Sequence, residues 1–157
     1  MDKATVKFNL SNPIHFLALG FGSGLSPKAP GTFGTLAAVP IFLLLALLTP
    51  LFYFLAVLVV CIAGIYICDK TAKDVGVHDH GAIVWDEIAG YLITMFLIPV
   101  SWQNVVLGFI LFRIFDIVKP WPISYLDKHV YGGFGIMIDD VVAGLLALAC
   151  MHFILGY

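Results

Sequence analysis

Residues 51–68 read LFYFLAVLVVCIAGIYIC, and none of them carries a charge. The uncharged stretch around this run extends over residues 29–68. A helix needs about 20 residues, with a range of roughly 17–25, to cross the hydrocarbon core of a bilayer. Residues 29–68 are too long for one crossing, and Pro50 divides them because proline disfavours helix in the residue before it. The sequence therefore predicts two membrane-spanning helices, near 34–49 and 51–68.

The composition of the whole chain agrees with a membrane location. The 157 residues are 61% hydrophobic and only 11% charged. Ordinary soluble domains contain about 25% charged residues, so this chain cannot cover a core with a solvated surface. An aromatic content of 14% argues against disorder, and a net charge of −2 gives no sign of a nucleic-acid partner. We predict a single integral membrane domain over residues 1–157, all-α in class.

Three further spans follow from the rest of the hydropathy pattern. Residues 88–112 are uncharged but are interrupted by Pro99 and the polar residues after it, so they form two spans only if both helices extend into charged flanks. A final apolar run makes the fifth span. These three spans are predicted near 83–99, 104–119 and 136–156. Residues 8–27 are rich in Gly, Pro, Ser and Asn, which favours an interfacial or re-entrant segment over a sixth span.

The distribution of charge predicts the orientation of this bundle of about five short helices. The 8 basic and 10 acidic residues fall in three clusters, within residues 2–28, 69–87 and 113–140. In the five-span arrangement all three clusters lie on one side of the membrane. Lys and Arg accumulate on the cytoplasmic side. We therefore expect the N-terminus and all charged clusters in the cytoplasm and the C-terminus outside.

A short repeat indicates a metal site. The segments Asp86-Glu87-Ile88-Ala89-Gly90 and Asp140-Val141-Val142-Ala143-Gly144 both read Asp-x-x-Ala-Gly, and each Asp has an acidic neighbour. Small residues let membrane helices approach closely, so the acids should meet at the starts of two touching helices. Crowded carboxylates need a neutralising cation, and oxygen ligands select Mg²⁺ or Mn²⁺. The predicted ligands are Asp86, Glu87, Asp139 and Asp140. Helix capping by Asp is the alternative, but it does not explain two adjacent acids in both segments.

A second group of residues could bind phosphate. Arg113, Asp116 and Lys119 are spaced by three and should share one face at a helix end, which Pro120 terminates. Arg offers a two-pronged donor and Lys a point charge, so the pair could clamp a phosphate beside an Asp. A plain ion pair, with cations extended to the membrane surface, is the alternative.

Two loops carry weaker signals. In His78-Asp79-His80, two histidines without a third soft ligand are weak evidence for zinc, and a solvated loop explains them equally well. Asp79 is the better candidate, as a metal ligand or as a general base on water. The Gly-rich residues 20–35 lack the Gly-Lys-Ser/Thr of a P-loop, although backbone N–H groups there could hold a phosphate at the start of the first span.

Taken together, these motifs resemble the phosphatidylglycerophosphatase A family over nearly the whole chain, from about Asn12 to the end. The matching segments are Gly22-Ser23-Gly24, Pro30-Gly31-Thr32, Ile83-Val84-Trp85-Asp86-Glu87, Phe112-Arg113, Phe115-Asp116, Lys119-Pro120-Trp121-Pro122 and Asp139-Asp140. The resemblance implies an Mg²⁺-dependent enzyme of the bacterial inner membrane. Its substrate would be the membrane lipid phosphatidylglycerophosphate, dephosphorylated to phosphatidylglycerol on the cytoplasmic side.

The resemblance also implies roles for the residues. The four acids would hold Mg²⁺, which would polarise the phosphate and activate a water. The phosphate oxygens would be bound by Arg113, Lys119, Thr32 and Lys28. Asp79 or Asp116 would take the proton from the attacking water. A phosphocysteine route is excluded because the chain has no Cys-x₅-Arg signature, whereas an aspartyl-phosphate intermediate stays open.

Three other functions are alternatives to this one. A lipid phosphotransferase using a nucleotide-activated alcohol would carry Arg after the Ala of its Asp-Gly-x-x-Ala-Arg run, where this chain has Gly90 and Gly144. An ion-coupled transporter would need acids near the membrane midplane and reachable from both faces. A structural membrane subunit would not need its ten acidic residues on one side.

Overall fold

The computed structural model describes residues 6–157, and the described part of the chain is helical without strands. One 3₁₀ turn covers Ser23–Leu25. The seven α-helices are α1 Pro13–Ala18, α2 Pro30–Leu45, α3 Pro50–Val75, α4 Trp85–Thr94, α5 Trp102–Val118, α6 Ile123–His129 and α7 Gly132–Leu155.

Two helices are long and apolar enough to cross a membrane. They are α3, with 26 residues and a mean hydropathy of 2.7, and α7, with 24 residues and 2.0. At 1.5 Å per residue α3 is about 39 Å long, which exceeds the hydrocarbon core of about 30 Å. The 16-residue α2 is apolar but shorter. The all-α class is confirmed, whereas the total of about five crossings stays a prediction.

The outer surface of the bundle is apolar in the way a lipid-facing surface is. On α3 alone, Leu51, Phe52, Val59 and Ile62 each expose 59–64% of their surface. Contiguous apolar surface of this kind is unfavourable in water and marks contact with a membrane or a partner. The composition and the exposed faces of the helices therefore agree on a membrane protein.

Helix α4 lies at the centre of the bundle and is shorter than the predicted span 83–99. It has ten residues, about 15 Å, and every residue except Glu87 is buried. A turn follows at once, and Leu97 adopts a positive φ of 61°. Non-helical backbone at membrane depth is tolerated where protein surrounds it, and Met95 and Ile98 in this stretch are buried.

The two Ala-Gly pairs permit the close crossing of α4 and α7 that the sequence predicts. A Cβ on Gly144 would lie 2.5 Å from the Gly90 carbonyl oxygen, and one on Gly90 would lie 2.8 Å from the Asp140 carbonyl oxygen. The Thr94 hydroxyl of α4 donates a hydrogen bond to the Gly144 carbonyl of α7 at 3.4 Å. The backbones thus meet with no room for a side chain at either glycine.

Among residues 6–157, the segments that carry the three charged clusters meet at one end of the bundle. His15 Nε2 lies 3.1 Å from Asp74 Oδ2, and the Gly133 N–H donates to Asp69 Oδ1 at 3.1 Å. These contacts join the N-terminal segment, the end of α3 and the start of α7. At the opposite end, the uncharged turns within 46–50 and 95–100 line a common pocket.

Residues 8–27 form the six-residue α1 and the 3₁₀ turn, so they contain no continuous span, as predicted. Other segments differ from the predictions. Helix α6 lies in a segment predicted as a connection. Helix α7 begins at Gly132 instead of near 136, because its early glycines pack against backbone: a Cβ on Gly133 would lie 1.9 Å from the Ile65 carbonyl oxygen.

Candidate active site

Three carboxylates from two helices form the centre of the site. Asp86 and Glu87 lie in the first turn of α4, and Asp140 lies in α7. One carboxylate oxygen from each lies within 4.8 Å of the others. Asp86 is 7% exposed and Asp140 only 2%. The α4–α7 crossing therefore concentrates negative charge in a nearly water-free position, which is unfavourable without a counter-charge.

Helix capping does not account for these acids. The cap residue of α4 is Val84, which has no polar side chain, and Asp140 follows the start of α7 at Gly132 by two helical turns. The predicted placement of both acid pairs at helix starts holds for α4 and is wrong for α7. The capping alternative is thereby removed for Asp140.

The unused hydrogen-bonding capacity of the trio fits a divalent cation. Within the described residues, Asp86 Oδ1, Glu87 Oε2 and Asp140 Oδ2 are buried atoms without a hydrogen-bond partner. Buried carboxylate oxygens are normally paired, so unpaired atoms on all three groups require a common explanation. An all-oxygen set of this kind suits Mg²⁺ or Mn²⁺ better than Zn²⁺.

Asp139, the fourth predicted ligand, is not one of the three acids whose oxygens lie within 4.8 Å of one another, and its role as a ligand stays a prediction. Its Oδ2 is 3.6 Å from Lys119 Nζ. Consecutive residues in the middle of a helix point about 100° apart, because the helix has 3.6 residues per turn. When Asp140 faces α4, Asp139 must face α6 and the end of α5 instead.

Arg113 lies directly beside the trio. Its Nη1 donates to Asp116 Oδ2, and the two side chains are 15% and 11% exposed. A Cβ on Gly31, in the first turn of α2, would lie 2.9 Å from Glu87 Oε1 and 3.0 Å from Arg113 Nη1. Glycine at position 31 thus lets the start of α2 approach both the acid and the guanidinium. Arg113 therefore makes the predicted ion pair with Asp116 and also lies near the predicted metal ligands.

Lys119 does not share the helix face of Arg113. It is the C-terminal cap of α5 with a positive φ of 50°, and its ammonium lies between Asp139 and Asp127, 3.7 Å from Asp127 Oδ1. Asp127 belongs to α6 and was not identified from the sequence. Its only signal is its position in the third charged cluster. Lys119 therefore lies at the rim of the site and joins α5, α6 and α7.

The remaining predicted phosphate ligands lie at the start of α2. Thr32 lies in the first helical turn, next to Gly31, and is partly buried. Lys28 is exposed in the preceding loop, and none of the ion pairs among residues 6–157 includes it. Thr32 thus lies near the site because the adjacent Gly31 packs against it, whereas Lys28 lies at the edge of the site.

The histidine loop has mainly structural contacts. His78 Nε2 accepts a hydrogen bond from the Gly132 N–H at 3.0 Å, and His80 Nδ1 accepts one from the Ala82 N–H at 3.1 Å. Between them, partial removal from water raises the pKa of the Asp79 carboxyl, and the charges of Lys119 and His78 oppose that rise. Asp79 is therefore electrostatically linked to the rim of the site.

Comparison with known proteins agrees with the resemblance seen in the motifs. Residues 16–155 match the family model of phosphatidylglycerophosphatase A. A protein of that name from Escherichia coli (strain K12) is 52% identical over 154 residues, covering 98% of this chain and 90% of its own length. One from Haemophilus influenzae is 51% identical over 144 residues, covering 90% and 88%. No solved structure matches the chain.

A third relative carries a different substrate in its name. A provisionally named phosphatidylinositol-3-phosphatase from Bacteroides thetaiotaomicron is 38% identical over 151 residues, covering 89% of this chain and 94% of its own length. All three relatives are named as phosphatases of lipid phosphates. The family match and both closely similar relatives extend over nearly the full chain, so this protein belongs to the phosphatidylglycerophosphatase A family of phosphatases.

Proposed function

We propose that this protein is an Mg²⁺-dependent phosphatase that hydrolyses the terminal phosphate of phosphatidylglycerophosphate, giving phosphatidylglycerol and phosphate. The observation that supports this most is the buried trio of Asp86, Glu87 and Asp140 beside Arg113, at the charged end of an apolar bundle. A lipid phosphate monoester at headgroup level would meet these groups while its acyl chains stayed in the bilayer.

The cation would be held by Asp86, Glu87 and Asp140, whose unpartnered oxygens suit it. When bound, it would neutralise phosphate charge and lower the pKa of a bound water. Asp139 would act indirectly, by holding Lys119 at the rim of the site.

Arg113 would bind the phosphate, because it is the only guanidinium in the chain and lies next to the trio. Its fork can donate two parallel hydrogen bonds to phosphate oxygens. Asp116 would hold the guanidinium in place through the ion pair at Nη1. Thr32, with backbone N–H groups at the start of α2, would contact a further oxygen, and Lys119 and Lys28 would attract the anionic headgroup from the rim.

Asp79 would accept the proton of the attacking water. Asp116 is already engaged by Arg113, whereas the Asp79 side chain is outside any ion pair among residues 6–157. Asp79 also lies within electrostatic range of Asp116 and Lys119, so it belongs to the same end of the bundle. General-base assistance of this kind contributes about 10²–10⁴-fold to a rate.

The decisive experiment measures phosphate release by the purified protein from three lipids: phosphatidylglycerophosphate, phosphatidic acid and phosphatidylinositol 3-phosphate. Each is assayed with Mg²⁺ and with a chelator. We expect release from phosphatidylglycerophosphate above the other two, and only with Mg²⁺. Asp69→Asn is the matched control, because Asp69 lies at the same end but bonds Lys73 and Gly133. Preference for phosphatidylinositol 3-phosphate, or full activity with the chelator, would contradict the proposal.

We further propose that the chain crosses the bacterial inner membrane five times, with the site on the cytoplasmic side. The third crossing would combine α4 with the non-helical residues that follow it, of which Met95 and Ile98 are buried. Single cysteines at Asn12 and Ser101, labelled in intact cells with an impermeant reagent, provide the test. We expect labelling at Ser101 only, with the parent chain measuring the background from its three native cysteines. Equal labelling at both positions would contradict this topology.

A further inference from the structure

An apolar groove runs between α2 and α5 on the membrane-facing surface. It has a volume of about 370 Å³. Its lining residues are Leu36, Val39 and Pro40 from α2, and Val105, Val106 and Phe109 from α5. None of these side chains is polar, so a ligand in the groove would have to be a hydrocarbon.

This groove lies between the same two helices that meet at the candidate active site. The two helices that line it also meet at the site, where a Cβ on Gly31 of α2 would lie 3.0 Å from Arg113 Nη1 of α5. Val39 follows Gly31 by eight residues and Val105 precedes Arg113 by eight, which is about 12 Å along either helix. The groove therefore leads from the phosphate-binding end towards the middle of the bundle.

A second apolar groove provides a comparison. It has a larger volume of about 450 Å³ and is lined by Phe54, Val57, Leu58, Cys61, Ile93, Phe96, Val141, Leu145 and Leu148. Its walls come from α3, α4 and α7, and neither Arg113 nor the start of α2 borders it. Volume alone would favour this groove, whereas the position of the first groove between the two helices that meet at Arg113 favours the first.

We propose that the α2–α5 groove binds one acyl chain of the lipid substrate and so aligns its phosphate with Arg113. This inference rests on the proposed function, because it takes a membrane lipid phosphate as the substrate. Binding energy from a part of the substrate remote from the reacting bond is then used to position that bond. Long-chain lipid should accordingly be preferred over a short-chain lipid with the same headgroup.

Blocking the groove with a bulky side chain tests the proposal. For each variant, kcat/KM is measured with dioleoyl and with dihexanoyl phosphatidylglycerophosphate. Leu36→Trp fills the α2–α5 groove, and Val106→Trp fills it from the other wall. Leu145→Trp is the matched control, because Leu145 lines the second groove and is 52% exposed, against 47% for Leu36. We expect the dioleoyl-to-dihexanoyl ratio to fall about 10-fold in both α2–α5 variants, the effect of losing ~1.4 kcal/mol of binding, and to keep its parental value in Leu145→Trp.

An unchanged ratio in Leu36→Trp and Val106→Trp, or a fall confined to Leu145→Trp, would overturn the proposal. A second measurement does not require turnover: phosphatidylglycerophosphate with a photoactivatable diazirine near the middle of one acyl chain is crosslinked to the parent protein. We expect adducts within residues 36–40 and 105–109 that disappear with excess dihexanoyl lipid. Protected adducts on α3 and α7 instead would overturn the groove assignment. If the parent releases phosphate from neither lipid, the proposed function fails, and the crosslinks alone decide the groove.

Discussion

The two acidic pairs look equivalent in the sequence and differ in the structure. Asp86 and Glu87 both belong to the buried trio, whereas Asp140 joins it and Asp139 pairs with Lys119. The first pair lies in the opening turn of a short central helix, enclosed by α2, α3, α5 and α7. The second lies inside the long helix α7, where Asp140 faces α4 but Asp139 lies beside Lys119 at the end of α5. Neighbouring residues point about 100° apart in both helices, so the packing around each pair makes the difference. Adjacent acids therefore contribute to one site only when the surrounding helices pack so that both carboxylates reach it.

The largest effect should come from replacing a single carboxylate of the trio, taken from either pair. Asp86→Asn or Asp140→Asn should lower kcat/KM at least about 10³-fold. A bound cation should stabilise the transition state by several kcal/mol, and each 1.36 kcal/mol corresponds to a tenfold change in rate. Each variant should also lose the rise in Tm that Mg²⁺ gives the parent. Since both residues serve one site, the double variant should be hardly worse than either single one. Losses that multiply in the double variant would show two independent sites.

The crossing that joins the pairs can be opened with one methyl group. Gly144→Ala would place a Cβ 2.5 Å from the Gly90 carbonyl oxygen, so the helices must separate. We expect a loss of about 1–3 kcal/mol in unfolding free energy and a fall of about 10²-fold in kcat, as for a misplacement of ~1 Å. Gly81→Ala is the control, because its nearest atom would be 3.9 Å away. Parental Tm and activity in Gly144→Ala would show that the crossing is looser than described.

Replacing Arg113 tests whether the guanidinium next to Asp86 and Glu87 binds the substrate phosphate. Arg113→Lys keeps the charge but loses the planar fork, so kcat/KM should fall about 10-fold. The Mg²⁺-dependent rise in Tm should remain, because the trio is untouched. Steady-state kinetics and thermal unfolding measure the two properties. Unchanged kinetics would mean that Arg113 serves only the ion pair with Asp116.

The smallest effect should come from the acid that the structure separates from the others. Asp139→Asn removes the charge that faces the partly exposed Lys119 and leaves the trio of Asp86, Glu87 and Asp140 intact. Activity should therefore stay within about 5-fold of the parent, and Mg²⁺ should still raise Tm. Calorimetry of Mg²⁺ binding to Asp139→Asn and Asp140→Asn side by side measures the difference. Equal loss of Mg²⁺ binding in both would restore Asp139 as a ligand.

Local features of the sequence predicted much of this molecule. Hydropathy located α2, α3, α5 and α7 to within a few residues at most ends, because a lipid-facing or buried helix requires a continuous apolar run. The spacing of charges predicted that their clusters share one end. The Asp-x-x-Ala-Gly repeat predicted the close crossing, because only small residues allow backbones to touch.

Other features depended on contacts between elements distant in the chain. The length of α4 was not predictable, because the apolar residues 95–100 that follow it are non-helical and have the same hydropathy as a longer helix would have. The contact of Asp127 with Lys119 required α6, which lies in a segment without clear periodicity.

The sequence by itself determined that this protein is an apolar helical bundle, with the acids of residues 6–157 and the single arginine at one end. Only the tertiary structure decided which acids share a site. The reason is geometric: composition decides whether a helix is buried, but the direction of each side chain depends on where the helix starts and on what packs against it. Asp139 and Asp140 differ by one position in the chain and by about 100° around α7.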